Sequence, residues 1–441
     1  MNVEDLIIAS VDDHIVEPPD MYDNHLSQAH KAIKPELKKD KNGADYWLYE
    51  GRRVGAGGLN AVAGRVKAEY GCEPAAFSQM RKGCYDVHAR IEDMNANGIL
   101  CSLNFPSVVT FDGGVFYGFE NKKNALTLMQ AYNDWHIDEW CGAYPGRNIP
   151  LALVPGWDIE ATVAEIKRVA AKGCHAITFS DNPALKGLPS IHNEYWEPLW
   201  KVCTDHGVII NIHIGSGAQA AHASTESPIE AWITSMPISI ANSAADWLHL
   251  KALRKYPSLK ICMSEGGIGW IPYFLERADF SHEQHKTWTH TDFGAKKPSE
   301  VFREHFITCF IDDAFGLANL GAIGEDYVCY ECDYPHSDTL WPKSPERLFE
   351  TVRHLPRPTI DKITHGNALR FYSFDAFGKL GGRENCTVGA LRGQAKAKGV
   401  DIAERSFGGP APLAAGEEAR TVTSGDLFNM VEKMRASMAE A

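Results

Sequence analysis

The chain has 441 residues, of which 44% are hydrophobic and 23% charged, and its formal net charge is −13. This balance is typical of a globular protein, and the length suits one large α/β barrel with insertions or two ordinary domains. The negative charge argues against a nucleic-acid partner, while the acidic N-terminus and the lack of any run of about 18 apolar residues argue against secretion and a membrane anchor. We therefore expect a cytoplasmic protein.

Short apolar runs, each bounded by polar or Gly/Pro residues, are separated along the chain by segments with helical spacing. The alternation is clearest where amphipathic helices, predicted over 158–171 and 196–206, each lead into the next run. Such alternation favours a parallel sheet closed into a (β/α)8 TIM barrel, with an open doubly wound sheet as the alternative. The predicted strands are residues 7–12, 99–105, 149–154, 176–179, 208–213, 259–264, 306–311 and 327–332.

Long segments outside this alternation predict additions to the barrel. Roughly ninety residues separate the first two predicted strands, which is far more than an ordinary connection and is typical of a lid. This lid is predicted over about 24–90 and includes a glycine cluster over 51–64. Hydrophobic density falls after residue 374, and residues 426–440 have the pattern of a short amphipathic helix. We predict a distorted barrel over 1–375, lid included, and a C-terminal arm over 376–441 that packs on the barrel or on another subunit.

Metal-ligand side chains stand at the ends of four predicted strands. In a (β/α)8 barrel the C-terminal ends of the strands meet at one face, so these side chains should lie close together. Asp12 and His14 are two residues apart, and residues at that spacing on a strand face the same side and can reach one metal ion together. A mixed set of histidines and carboxylates suits Zn, Fe, Mn or Co. The candidate ligands are Asp12, His14, Glu17, His213, Glu265, Asp333 and His336.

The motifs around these residues resemble those of the amidohydrolase superfamily. They are Asp12-x-His14-x-x-Glu17-Pro18, Asn211-x-His213-x-Gly215, Ser264-Glu265-Gly266-Gly267, Asp333-Tyr334-Pro335-His336 and Asn367-Ala368-x-Arg370-x-Tyr372. From about residue 7 to residue 375, the chain is most similar to the amidohydrolase-related group. That group includes aminocarboxymuconate semialdehyde decarboxylase, aromatic acid decarboxylases and ring-cleavage-product hydrolases.

This resemblance implies one divalent metal ion held by four of the candidates, Asp12, His14, His213 and Asp333. Many members of the group have a histidine at the end of the sixth strand, where this chain has Glu265. With Glu17 and His336, this glutamate could help to hold a second ion. We therefore expect one or two ions of Zn, Fe or Mn per chain. The expected catalytic residues are Asp333, Glu265 and His336, with Asp333 taking a proton from metal-activated water.

Three reactions of a small-molecule substrate are compatible with this resemblance. The first is hydrolysis of a bond beside a carbonyl in a small organic acid or amide. The second is non-oxidative decarboxylation of an aromatic or muconate-type acid, and the third is oxygenation at a dinuclear iron or manganese centre. A non-enzymatic role also remains open, as a metal-bound subunit in a hetero-oligomer of related barrels. Otherwise we expect a homo-oligomer.

Overall fold

The structure is a computed structural model that describes residues 1–55, 58–71, 75–217, 223–408 and 418–429. Two sheets are present in these residues, one of eight parallel strands and one of three antiparallel strands. The strands, in chain order, are β1 (Ala9–Ile15), β2 (Glu36–Lys39), β3 (Asp45–Tyr49), β4 (Arg52–Gly55), β5 (Cys101–Pro106), β6 (Asn148–Ile149), β7 (Ala176–Phe179), β8 (Ile209–His213), β9 (Ile261–Ser264), β10 (Phe306–Phe310) and β11 (Val328–Tyr330).

The large sheet is a closed barrel. Its strand order is β6-β5-β1-β11-β10-β9-β8-β7, so barrel strands that follow one another along the chain are neighbours in the sheet. A parallel bridge between Ala152, just after β6, and Ile177 of β7 joins the two ends of this order. The Ala152 N–H donates to the Ala176 carbonyl at 3.0 Å, and the Thr178 N–H donates to the Ala152 carbonyl at 3.0 Å. The predicted distorted (β/α)8 barrel is therefore confirmed.

Both faces of the barrel strands are covered. Every residue of these eight strands is buried, as expected for parallel strands that lie between an inner core and outer helices. The predicted strand over 149–154 is the one that differs most, since only Asn148 and Ile149 pair with β5. Beyond the Ala152 bridge its backbone bonds to a side chain, because the Leu153 N–H donates to Asn133 Oδ1 at 2.8 Å.

Helices surround the barrel, and α4 shows why they form where they do. The Asp158 side chain accepts the Ala161 N–H and so begins this helix, while Ile166 and Val169 are buried against the core. No helix in the described ranges is long and apolar enough to cross a membrane. The α-helices are α1 (Val87–Asn97), α2 (Gly114–Tyr117), α3 (Lys122–Asp134), α4 (Ile159–Ala171), α5 (Glu197–His206), α6 (Ile229–Ser235), α7 (Ile240–Leu248), α8 (Ala252–Lys255), α9 (Ile271–Thr289), α10 (Pro298–His305), α11 (Ala314–Ala318), α12 (Leu320–Ile323), α13 (Ser344–Val352), α14 (Arg357–Asp361), α15 (Asn367–Phe371), α16 (Ala376–Lys379) and α17 (Val388–Lys398).

The predicted lid contains the three-stranded antiparallel sheet β2-β3-β4. Trp47 of β3 is completely buried in an apolar cluster that also includes Val108, from the loop after β5. The N–H groups of Val62 and Ala63 donate to the Pro335 carbonyl at 2.9 and 3.1 Å. The segment thus lies on the loops that follow β5 and β11, although its action as a lid stays a prediction.

Part of the predicted C-terminal arm packs on the barrel. The Val388 N–H donates to the Leu6 carbonyl at 2.8 Å, and Val388 and Leu391 of α17 are buried. Further along, the Arg405 N–H donates to the carbonyl of Gly64 at 2.9 Å, which attaches this part of the arm to the lid segment. Residues 430–440 of the predicted terminal helix lie outside the described residues, and the boundary at 375 stays a prediction.

Candidate metal centre

The ends of β1 and β11 lie side by side at the C-terminal face of the barrel. Their pairing continues past β11, because the Asp333 N–H donates to the Asp12 carbonyl at 2.8 Å and the His14 N–H donates to the Tyr334 carbonyl at 2.7 Å. Asp333 has a φ of 56°, a left-handed conformation that aspartate tolerates better than most residues. These bonds hold the backbone of Asp12, His14 and Asp333 in one register.

The side chains of the four predicted metal ligands come together here. Ligand atoms of Asp12, His14 and His213 lie within 4.8 Å of one another, and those of His14, Asp333 and His336 form a second such group. His14 Nε2 is 2.9 Å from Asp333 Oδ1, and His213 Nε2 is 3.6 Å from Asp12 Oδ2. Asp12, His14, His213 and Asp333 are completely buried. We call these four residues the metal group.

The metal group fits a divalent ion because its buried polar atoms lack other partners. Within the described residues, both carboxylate oxygens of Asp12, Nε2 of His14 and of His213, and Oδ1 of Asp333 make no hydrogen bond. A buried polar atom without a partner costs about 1–3 kcal/mol, so several together indicate a missing ligand. His213 Nδ1 donates to the Ile214 carbonyl at 2.7 Å, which leaves Nε2 as the nitrogen with a free lone pair. Carboxylate oxygen and imidazole nitrogen are the donors that Zn, Fe and Mn prefer.

The electrostatics of the metal group also favour a cation. Burial, and after it the negative charge of Glu331, raises the pKa of Asp12 well above its usual value. Burial lowers the pKa of His14 to about 3 and the pKa of His213 to about 4. Both imidazoles are therefore neutral at pH 7, which is the form that binds a metal ion. A cation placed between these groups would relieve the repulsion among the carboxylates.

Glu265 and His336 lie at the edge of the metal group. Glu265 Oε2 is 3.2 Å from His213 Nε2, and Glu265 Oε1 is 3.1 Å from His336 Nδ1. His336 Nδ1 also donates to Asp333 Oδ2 at 2.7 Å. Burial lowers the pKa of His336, but Asp333 and Glu265 more than offset this effect and raise it well above its usual value. The three residues predicted to be catalytic are thus one connected set, and their roles stay predictions.

Glu17, which we expected among the ligands, is in neither group of ligand atoms found in the described residues. Its Oε2 accepts the N–H groups of Val108 at 2.8 Å and Ser107 at 3.3 Å, and its Oε1 accepts the Val109 N–H at 3.1 Å. Burial raises the pKa of Glu17 to about 7. Because both carboxylate oxygens already bind the loop after β5, a role for Glu17 in holding a second ion loses support and stays a prediction.

An aromatic wall borders the metal group on the side of that loop. The Phe111 ring lies with its centroid 4.1 Å from the His213 ring and 5.2 Å from the His14 ring. Phe105 of β5 lies with its centroid 4.9 Å from the His213 ring. Since Glu17 binds the backbone just before Phe111, this carboxylate supports the wall rather than the metal group.

Two further carboxylates belong to the surroundings of this site and are not predicted from the sequence. Glu331 stands two residues before Asp333 and accepts the Glu265 N–H at 3.0 Å. The alternation of Glu331 and Asp333 at the end of β11 is a signal that could have identified it, because such residues face the same side. Asp313 accepts two N–H groups of the loop after β9. No local sequence pattern indicates that contact.

Comparisons with known proteins agree with this fold. A family model described as Amidohydrolase matches residues 46–374, a range that begins after β1. An amidohydrolase from Mycobacterium avium subsp. paratuberculosis K-10 has 19% sequence identity and a TM-score of 0.61, covering 83% of this chain and 99% of its own.

Two aromatic acid decarboxylases have the same fold. The 5-carboxyvanillate decarboxylase of Novosphingobium aromaticivorans DSM 12444, complexed with manganese and 4-hydroxy-3-methoxy-5-nitrobenzoic acid, has 19% identity and a TM-score of 0.58, covering 83% of this chain and 96% of its own. The 2,6-dihydroxybenzoate decarboxylase from Rhizobium has 15% identity and a TM-score of 0.54, covering 83% of this chain and 98% of its own. At these identities the likeness concerns the fold.

Proposed function

The chain belongs to the amidohydrolase family, and on that premise we propose that it is a metal-dependent hydrolase of a small organic acid or amide. The observation that carries this proposal is the metal group, whose buried and unpartnered oxygen and nitrogen atoms face one another. A divalent ion held by these residues would lower the pKa of a bound water molecule to about 7 and would polarise a substrate carbonyl. The manganese in the similar 5-carboxyvanillate decarboxylase supports the choice of a divalent ion.

The side chains beside the metal group supply the proton transfers that hydrolysis needs. Asp333 is the general base, and its Oδ1, which has no hydrogen-bond partner, accepts the proton of the attacking water. Asp333 Oδ2 accepts a hydrogen bond from His336 Nδ1, and Glu265 Oε1 lies 3.1 Å from the same nitrogen. His336 can thus share its proton with either carboxylate. This connected set can carry a proton from the water towards the leaving group.

A specific observation favours a second candidate, non-oxidative decarboxylation of an aromatic acid. The rings of Phe105 and Phe111 form an apolar wall beside His14 and His213, and an aromatic substrate ring stacks favourably on such a wall. Two similar structures are, by name, decarboxylases of hydroxylated aromatic acids. In this reaction Asp333 would deliver a proton to the ring carbon that loses carbon dioxide.

The third expectation, a dinuclear oxygenase, has less support. A second ion needs its own ligands, but the second group of ligand atoms shares His14 with the first. Glu17, which was expected to contribute, binds backbone N–H groups instead. We therefore propose one metal ion per chain.

Isotope labelling separates the three reactions. Protein loaded with Zn, Mn or Fe is incubated with panels of amides, lactones and aromatic acids in deuterium oxide enriched in oxygen-18. Hydrolysis places oxygen-18 in the product acid, which is the result we expect. Carbon dioxide release with deuterium on the product carbon would replace our first choice by decarboxylation, and oxygen consumption would replace it by oxygenation. The variant His213→Ala is the control for metal dependence.

A further inference from the structure

Glu265 lies in a backbone conformation that its residue type avoids. Its φ is 61°, in the left-handed region, which is strained for a residue with a Cβ atom. Such a residue keeps this conformation only where its neighbours hold it. The turn is also tight, because a Cβ atom on Gly266 would lie 2.5 Å from Cγ2 of Ile240. The direction of the Glu265 carboxylate therefore depends on the groups that fix this turn.

Two side chains hold the first half of the turn. Glu331 Oε2 accepts the Glu265 N–H at 3.0 Å. Trp270 Nε1 donates to the carbonyls of Gly266 and Gly267 at 3.0 and 3.1 Å. These contacts fix residues 265–267, and the N–H groups of the next two residues need acceptors from another element.

Asp313 supplies those acceptors from the loop between β10 and α11. Its Oδ2 accepts the N–H groups of Ile268 at 2.8 Å and Gly269 at 2.6 Å. Its Oδ1 accepts the Gly316 N–H at 2.7 Å, which holds the carboxylate in one orientation. Hydrogen bonds to an ionised carboxylate are stronger than those between neutral groups. A Cβ atom on Gly269 would lie 2.9 Å from Asp313 Oδ1, so this close approach requires glycine.

We propose that Asp313 is a positioning residue that directs the Glu265 carboxylate towards His213 and His336. Asp313 holds residues 268 and 269, these residues complete the strained turn, and the turn sets where the side chain of Glu265 points. The side-chain bonds of Asp313 in the described residues go to backbone N–H groups, so it acts on the site through the turn. The inference rests on the proposed role of Glu265 in proton transfer.

Hydrogen exchange tests whether Asp313 holds the turn, and it does so without reference to any reaction. We expect Asp313→Ala to accelerate amide exchange in a peptide spanning residues 261–275, because two N–H groups lose their acceptor. The matched control is Asp312→Ala, which changes the neighbouring residue, whose carboxylate lies 2.8 Å from Nη2 of Arg347. Unchanged exchange in Asp313→Ala would overturn the proposal that Asp313 holds the turn, whatever the enzyme catalyses.

A double-mutant cycle tests whether Asp313 acts through Glu265. We expect Asp313→Ala to lower kcat about tenfold to a hundredfold, as a misplaced catalytic group does, with metal content unchanged. Asp313→Asn should recover part of the loss, because its amide oxygen can still accept these N–H groups. In a Glu265→Gln background the same change should cost less than about twofold. An equal loss in both backgrounds, or a loss of metal, would show a merely structural role and overturn the proposal.

If the hydrolase proposal is wrong, the experiments give a different combination of results. The labelling experiment would then report carbon dioxide release or oxygen uptake, and the cycle would be measured on that reaction. The exchange result does not depend on the reaction, so it tests separately whether Asp313 holds the turn.

Discussion

Glu17 and Glu265 are both glutamates that follow barrel strands, but their carboxylates have different neighbours. Glu17 accepts three N–H groups of the loop after β5. Glu265 lies between the imidazoles of His213 and His336. A carboxylate bonded to backbone N–H groups fixes a loop, whereas one between imidazoles can exchange protons with them. A strand-end position therefore identifies a candidate carboxylate, but the partners of its oxygens decide its role.

The largest effect on activity is expected for a change in the metal group, and the effects of the two glutamates are measured against it. His213→Ala removes an imidazole that no neighbouring side chain replaces. We expect metal content to fall well below one equivalent and kcat/KM to fall about a thousandfold, equivalent to about 4 kcal/mol of transition-state stabilisation. Elemental analysis and turnover measure the two effects. Full metal content in this variant would remove His213 from the proposed ligands.

Glu265→Gln should have the next largest effect. The amide keeps the shape of the side chain but not the charge beside His336. We expect kcat to fall about a hundredfold, within the usual range for general acid–base catalysis, while metal content stays at one equivalent. A metal content near two in the unaltered protein that falls towards one in the variant would show instead that Glu265 holds a second ion.

Glu17→Gln should have a smaller effect on turnover than Glu265→Gln. The amide oxygen can accept some of the three N–H groups, so the loop that carries Phe111 should loosen without releasing the metal ion. We expect unchanged metal content and a rise in KM within about tenfold, since only the wall beside the site is disturbed. Loss of the metal ion together with activity would show that Glu17 acts as a ligand.

Glu17→Gln should also change how the free energy of unfolding depends on pH. Burial raises the pKa of Glu17 from 4.5 to about 7, so the folded chain holds this proton more tightly than the unfolded chain does. Raising the pH from 4.5 to 7 therefore favours unfolding by up to about 1.4 kcal/mol per pH unit. Glu17→Gln lacks this dependence. Urea denaturation of both metal-free proteins should give curves that diverge over this window, and parallel curves would contradict the prediction.

The sequence was sufficient to predict the barrel and the meeting of Asp12, His14, His213 and Asp333. Parallel strands place their C-terminal ends on one face, so residues at those ends approach one another whatever the details of packing. His14 lies beyond the strand predicted over 7–12, yet it joins the site because β1 continues to Ile15. Chain direction brings these residues to one face, and the family resemblance selects them among the candidates.

The contacts of Glu17 and Asp313 could not be predicted in the same way. Each follows a strand end by a few residues, where the chain has turned and the period of the strand no longer sets the side-chain direction. Their partners are N–H groups of loops that are distant in sequence, and every residue type except proline offers such a group. These contacts leave no pattern of residue types, so only the folded arrangement identifies them.

The pairing of β1 with the segment after β11 has a consequence for the order of events during synthesis. The Tyr334 N–H donates to Asp13 Oδ1, and these residues stand 321 positions apart. Asp12 and His14 therefore leave the ribosome long before the strand that completes their site. Closing so long a loop opposes folding, and an ion that binds only the closed barrel adds its binding free energy to that last step. An ion held by both ends of the barrel would thus favour the closed barrel over any chain that stops before Asp333.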